Sequence, residues 1–183
     1  PAADRAAVLV FQRDVIELRR AVRATSRVLG ELQSRVDHCR VALRRSDADL
    51  SLLAKVEALD GELAELRTQL AGDASLSRRS KPAAMSIQER IENVAGAQLY
   101  TSSAPTQTEQ DAYGFAADAF APVLARLRAV ATTDLPEIEA ALEAAGAGDT
   151  PEGMLPFEHL DMFSSLFAQV DYFDWAKFKV YIP

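Results

Sequence analysis

The stretch that decides the fold is residues 8–43, VLVFQRDVIELRRAVRATSRVLGELQSRVDHCRVAL. Residues spaced alternately three and four apart form one stripe along it, and ten of its eleven members are apolar. Such a repeat is typical of a helix that buries one face against other helices. We call this stripe the seam; its members are Val8, Phe11, Val15, Leu18, Val22, Thr25, Leu29, Leu32, Val36, Cys39 and Leu43.

The rest of the chain continues the helical pattern with short breaks. The predicted helices cover residues 4–45, 48–71, 86–99, 108–131 and 134–146. The short break between the first two requires an antiparallel hairpin. The polar residues 73–84 and 101–106 are predicted to be loops. We therefore predict an all-α, up-and-down helical bundle built on a long antiparallel coiled-coil-like hairpin, followed by an aromatic-rich C-terminal tail.

Residue types at the expected helix starts indicate how each helix begins. Ser86 with Glu89 three residues later is a capping box for the third helix. Thr108 with Asp111 is the expected start of the fourth helix. Asp134, followed by Pro136, is the N-cap candidate for the fifth helix.

The charge distribution excludes one class of partner and suggests a packing arrangement. The net charge of −7 argues against a nucleic-acid surface. Residues 1–47 carry a local charge of +4, and residues 101–156 a local charge of −7. We therefore expect these two segments to pack side by side, in antiparallel register.

Catalytic, cofactor and metal sites are not predicted. Motifs for nucleophilic catalysis and for phosphate binding do not occur. Asp37, His38 and Cys39 are successive residues of a helix, so their side chains cannot converge on one ion. The acids of the fifth helix are expected on one exposed surface, where they cannot face each other as a glycosidase pair does; they are Glu137, Glu139 and Glu143. Glu158, His159 and Asp161 would bind a metal only with help from elsewhere, and basic residues 78–81 are expected to be a solvated loop.

Composition changes abruptly near Pro156. Residues 157–183 hold eight of the thirteen aromatic residues. We therefore divide the chain into a helical bundle, residues 1–156, and an aromatic-rich tail, residues 157–183. The tail either packs back on the bundle or binds a partner, for which its candidate contacts are Phe163, Phe167, Tyr172, Phe173, Trp175 and Phe178. Four acids against two lysines in the tail disfavour an anionic membrane surface, so a protein partner is expected.

The segment from Pro82 to Pro151 carries a family resemblance. Residues 86–96, SIQERIENVAG, are followed by APTQT at 104–108, VLARLR at 123–128, TDLPE at 133–137 and AGAG at 145–148. With the preceding helical hairpin, residues 4–151 resemble the helical C-terminal region of bacterial sortilin-like β-propeller proteins, which carry Asp-box repeats and are often labelled glycosyl hydrolases. The resemblance implies an exported protein in which this region is a structural or docking appendage. It implies no catalytic residue here, and it does not extend to residues 157–183, which are either a divergent end or an unrelated segment.

The expected function is that of a non-catalytic structural or protein-interaction module, the helical appendage of a larger β-propeller protein. Its partner is expected to be another protein or a second copy, contacted through the tail or through an overhang of the long first helix. The alternatives are a fragment or accessory part of a hydrolase, and a peripheral membrane binder acting through the tail. The start at Pro1, without Met, is expected for a chain that is processed or cut from a longer one.

Overall fold

A computed structural model describes residues 2–46, 50–73, 84–99 and 103–146. In these residues the protein is an all-α bundle, as predicted. Its elements are α1 (Ala2–Arg44), α2 (Leu50–Ala71), α3 (Ile87–Leu99), α4 (Gln107–Ala129), a π-helical turn (Val130–Asp134) and α5 (Leu135–Ala144). Every end of the five α-helices lies within two residues of its predicted position.

The bundle consists of three passages of the chain. α1 is the first passage, and α2 and α3 together form the second. The side chain of Gln12 donates to the carbonyl oxygen of Gln98 at 3.3 Å, and Arg40 pairs with Asp60 at 2.7 Å. Residue numbers thus fall along the second passage as they rise along α1, so both α2 and α3 run antiparallel to α1.

The third passage, α4 through α5, runs in the same direction as α1. The rings of Phe11 and Tyr113 meet edge to face with centroids 5.5 Å apart, and Arg35 pairs with Glu139 further along both passages. The expectation that the basic and acidic segments are antiparallel is therefore wrong. The segments do pair by charge, but the second passage already fills the antiparallel position, and the chain has turned back once more.

The seam is the centre of the core. Ten of its members are buried, and Phe11 is partly buried against the core. Even the two ends of the seam are covered, since Val8 is 8% exposed and Leu43 is 7% exposed. The expectation that part of the seam overhangs without cover is wrong, because α2 and α3 lie end to end along α1 and the third passage also packs against it.

Two of the three expected helix starts need correction. Ser86 caps α3 as predicted, since its hydroxyl accepts from the Glu89 backbone N–H at 3.2 Å. The capping box of α4 is formed by Thr106 and Glu109, not by Thr108 and Asp111. Asp134 caps nothing; its backbone is helical, and its carboxylate binds Arg126 instead.

The π turn lies immediately before Pro136, the second residue of α5. A proline has no N–H to donate, and in a regular helix its ring crowds the carbonyl four residues earlier, here that of Thr132. A widened turn relieves that crowding. The chain therefore stays helical from Gln107 to Ala144 rather than stopping at a loop.

The second passage is interrupted where α2 ends and α3 begins. Gly72 adopts φ +86°, a left-handed conformation that glycine tolerates and other residues rarely adopt. A Cβ placed on Gly72 would lie 3.5 Å from the Cβ of Ser86. The end of α2 and the start of α3 therefore lie close together at one place in the bundle. We call this place the junction.

Candidate functional site

Charged side chains between the helices form ion pairs with one another. The carboxylate of Glu92 on α3 binds Arg19 at 2.8 Å and Arg23 at 2.7 Å, both on α1. The hydrogen bonds from Arg19 are the main reason why the pKa of Glu92 lies below its usual value. This cluster fastens α3 to α1 through one carboxylate shared by two guanidinium groups.

A second cluster joins α2 to the third passage. Arg126 binds both carboxylate oxygens of Glu62 and, at 2.6 Å, the carboxylate of Asp134. Hydrogen bonding to Glu62 raises the pKa of the Arg126 guanidinium above its ordinary value. These three residues lie at the edge of a concavity of about 320 Å³ between α2 and α5. Three carboxylates line it. Those of Glu62 and Asp134 are held by the same guanidinium, which makes them unsuitable for general acid and base roles, and that of Glu137 is exposed.

The sequence suggested that the acids of α5 share one exposed surface, and this prediction is wrong. Glu137 and Glu143 are exposed, whereas Glu139 is only 3% exposed. Glu139 makes a two-point contact with Arg35, which is a structural contact between α5 and α1. The three acids therefore do not form the facing pair that glycoside hydrolysis needs.

The thiol of Cys39 lies beside this ion pair. It is fully buried, and burial, followed by the charge of Glu139, raises its pKa to about 12. A thiol in that state stays protonated at neutral pH and is a poor nucleophile and metal ligand. Its neighbours Asp37 and His38 are exposed, so the three side chains point apart as predicted. Within the described ranges no three His, Cys, Asp or Glu side chains lie close enough to hold a metal ion.

One concave surface combines exposed apolar side chains with a cation. It lies at the junction, has a volume of about 370 Å³, and is formed by Gln69, Met85, Ile87, Arg90, Phe115 and Ala119. We call it the junction groove. Phe115 is 64% exposed and Met85 is 47% exposed. The Arg90 guanidinium lies 5.9 Å from the centre of the Phe115 ring, within the range of a cation–π contact.

Sequence reasoning missed the junction groove, although part of it has a visible signal. The sequence predicts that α4 buries an apolar stripe formed by Tyr113, Ala117, Phe120, Leu124, Leu127 and Ala131. Phe115 comes two residues after Tyr113 and so lies off that stripe, on the polar side of the helix. A large aromatic residue at such a position is a candidate contact. Met85 and Gln69 carry no such signal, because only the close approach of Gly72 and Ser86 brings their helix ends together.

The sequence-predicted contact residues lie outside the described residues. These are the tail side chains Phe163, Phe167, Tyr172, Phe173, Trp175 and Phe178. The same holds for Glu158, His159 and Asp161, which were considered as metal ligands, and for the basic residues at 78–81, which were expected to form a solvated loop. Of the helices that are described, none is both long and apolar enough to cross a membrane.

Comparison with known proteins adds no relative. No family model matches the chain, and neither a curated protein nor a solved structure matches it. The resemblance of residues 4–151 to the helical region of sortilin-like β-propeller proteins therefore stays a prediction.

Proposed function

We propose that this chain is a non-catalytic protein-interaction module whose contact surface is the junction groove. The observation that carries the proposal is the exposure of Phe115 and Met85 side by side in one concavity. Aromatic and methionine side chains are enriched at protein–protein contacts. Aromatic rings bury a large apolar area, and the flexible, polarisable methionine side chain adapts its shape to its partner. The concavity between α2 and α5 differs, because the paired charges of Glu62, Arg126 and Asp134 line it.

The lining of the groove indicates the chemistry of its ligand. Its floor is apolar, and Arg90 is the one charged side chain among its lining residues. A peptide segment that places an aromatic side chain against Phe115 and an acidic side chain near Arg90 would satisfy both features. We therefore infer that the ligand is a peptide with aromatic residues next to acids. The alternatives of hydrolase fragment and membrane binder have no supporting observation among the described residues.

Selection of a displayed random peptide library for binding to the immobilised chain tests this proposal. We expect enriched peptides to carry aromatic residues next to acids, and to lose binding to Phe115→Asp. Leu9→Asp is the matched control, because Leu9 is equally exposed, at 65%, and lies outside the groove. The proposal would be contradicted by a library that gives no enrichment on either the parent or the tail variant Phe173→Ala/Trp175→Ala, or by peptides that bind Phe115→Asp as well as the parent.

A further inference from the structure

We propose that the junction groove is occupied in the free protein by the chain's own aromatic tail, residues 157–183. This inference rests on the proposed function, because it names the segment that occupies the same groove before an outside partner binds. It makes the tail an internal competitor that any outside partner must displace.

The composition of the tail matches the lining of the groove. The tail contains eight aromatic residues, and its acids outnumber its lysines by four to two. The described bundle contributes apolar Met85 and Phe115 together with the cation of Arg90. Aromatic side chains bordered by acids are the chemistry inferred above for the groove's ligand. In this chain that combination is concentrated in residues 157–183.

The length of the chain allows the tail to reach the groove. α5 ends beside the start of α2, since Ile138 and Ala141 share a concavity with Leu52. The groove begins at Gln69, near the opposite end of α2. At 1.5 Å per residue α2 is roughly 33 Å long. Ten residues separate Gly146 from Phe157. The eleven Cα–Cα steps between these two residues span up to about 36 Å when extended, so every residue from Phe157 onward is within range.

Tethering favours the tail of the same chain over that of a second copy. A segment tethered in the same chain has an effective concentration of about millimolar at a site when the root-mean-square reach of its tether matches the distance to that site. A second copy at micromolar concentration competes poorly against that. An interaction too weak to hold two separate chains together is therefore sufficient to keep the tail in place.

The fluorescence of Trp175, the sole tryptophan of the chain, tests the inference in the intact protein. We expect blue-shifted emission and weak quenching by acrylamide. Phe115→Asp is expected to shift the emission to the red and to increase the quenching constant several-fold. Leu9→Asp is expected to leave both unchanged, and circular dichroism should show that both variants keep the helical fold, because both side chains are exposed.

Three results would overturn the inference. The first is a Trp175 that is exposed to water in the parent, and the second is a buried Trp175 whose emission does not respond to Phe115→Asp. The third is a blue-shifted emission that is lost when the protein is diluted, which would indicate that the groove binds the tail of a second copy. Peptide display separates this failure from that of the proposed function. Library peptides that bind the groove although Trp175 is exposed leave the proposed function standing. The double variant Phe173→Ala/Trp175→Ala weakens the tail and so leaves the groove open to library peptides. If Phe115→Asp releases Trp175 but no peptide binds the parent or this double variant, the groove binds only the tail. The inference then stands, and the proposed function fails.

Discussion

Arg35 and Glu139 form a two-point ion pair that fixes the last helix on the first, with Nε to Oε1 at 2.9 Å and Nη2 to Oε2 at 2.6 Å. Glu139 is 3% exposed, whereas the side chain of Arg35 is 20% exposed. Two opposite charges this close and this well shielded from water compensate each other. Removing either one leaves an unpaired charge that lowers the stability of the fold.

We therefore expect Glu139→Ala to lower the free energy of unfolding by about 2 kcal/mol, less than for a fully buried pair because water still reaches Arg35. Replacing both residues, as Arg35→Met with Glu139→Leu, should restore most of the loss. Urea denaturation monitored by circular dichroism measures both effects. A double variant as unstable as the single one would show that the pair is not what holds α5 to α1.

Thr25 is the polar member of the seam, and its buried hydroxyl has no hydrogen-bond partner in the described part of the chain. Thr25→Val keeps the shape and removes the unsatisfied group, so it should raise the free energy of unfolding by about 1 kcal/mol. Thr68→Val is the control, because the Thr68 hydroxyl is exposed and donates to the Ala64 carbonyl oxygen at 3.0 Å. Destabilisation by Thr25→Val would mean that its hydroxyl has a partner, such as a buried water.

Cys39 makes stability depend on pH in the alkaline range. Its pKa is about 12 in the folded protein and 9.0 as the ordinary value. Because the unfolded chain loses this proton first, the contribution to stability is complete below pH 9 and is lost as pH rises toward 12. We expect the parent to lose about 1 kcal/mol more than Cys39→Val for each pH unit in that range.

Measuring unfolding of both proteins at several pH values between 8 and 11 gives this difference directly. Native Cys39 should also react slowly with a thiol reagent at pH 8, and quickly after denaturation in urea. Fast labelling of the folded protein would place the thiol at the surface and refute the burial on which this prediction depends.

Gly61 and Gly72 should respond to alanine in opposite directions. Gly61 lies inside α2 with open space where the methyl group of an alanine would be, so Gly61→Ala should stabilise the fold by about 0.5–1 kcal/mol. Gly72 has φ +86°, so Gly72→Ala should destabilise it by about 1 kcal/mol. Thermal unfolding of the two variants tests the geometry of the junction. Equal changes in melting temperature for the two variants would mean that the backbone of Gly72 is not in the left-handed conformation.

The helices and the core were predictable because their signals are local. Periodic apolar residues on α1 and on α2 identify the buried faces, and the Ser86–Glu89 capping box gives the start of α3. The cap of α4 was misplaced because Thr106 and Thr108 are both followed by an acid three residues on, and only the structure distinguishes them.

The arrangement of the helices was less predictable, since it depends on contacts between distant residues. Charge totals suggested that the basic and acidic segments meet, as Arg35 and Glu139 do, but totals carry no direction. The junction groove depends on the approach of Gly72 to Ser86, which are fourteen positions apart in the sequence. Asp134 was expected to be a cap because nothing in the local sequence shows that Arg126 lies beside it.

The central claim is that the seam of α1 is the covered core of a bundle formed within this one chain. Comparing Leu32→Asp with Leu9→Asp tests it most directly, because both place the same charge on the same helix, at 0% and 65% exposure. We predict that Leu32→Asp loses cooperative thermal unfolding, since a buried unpaired carboxylate is too costly to keep, while Leu9→Asp melts like the parent. A Leu32→Asp protein with the parent's melting curve would contradict the account.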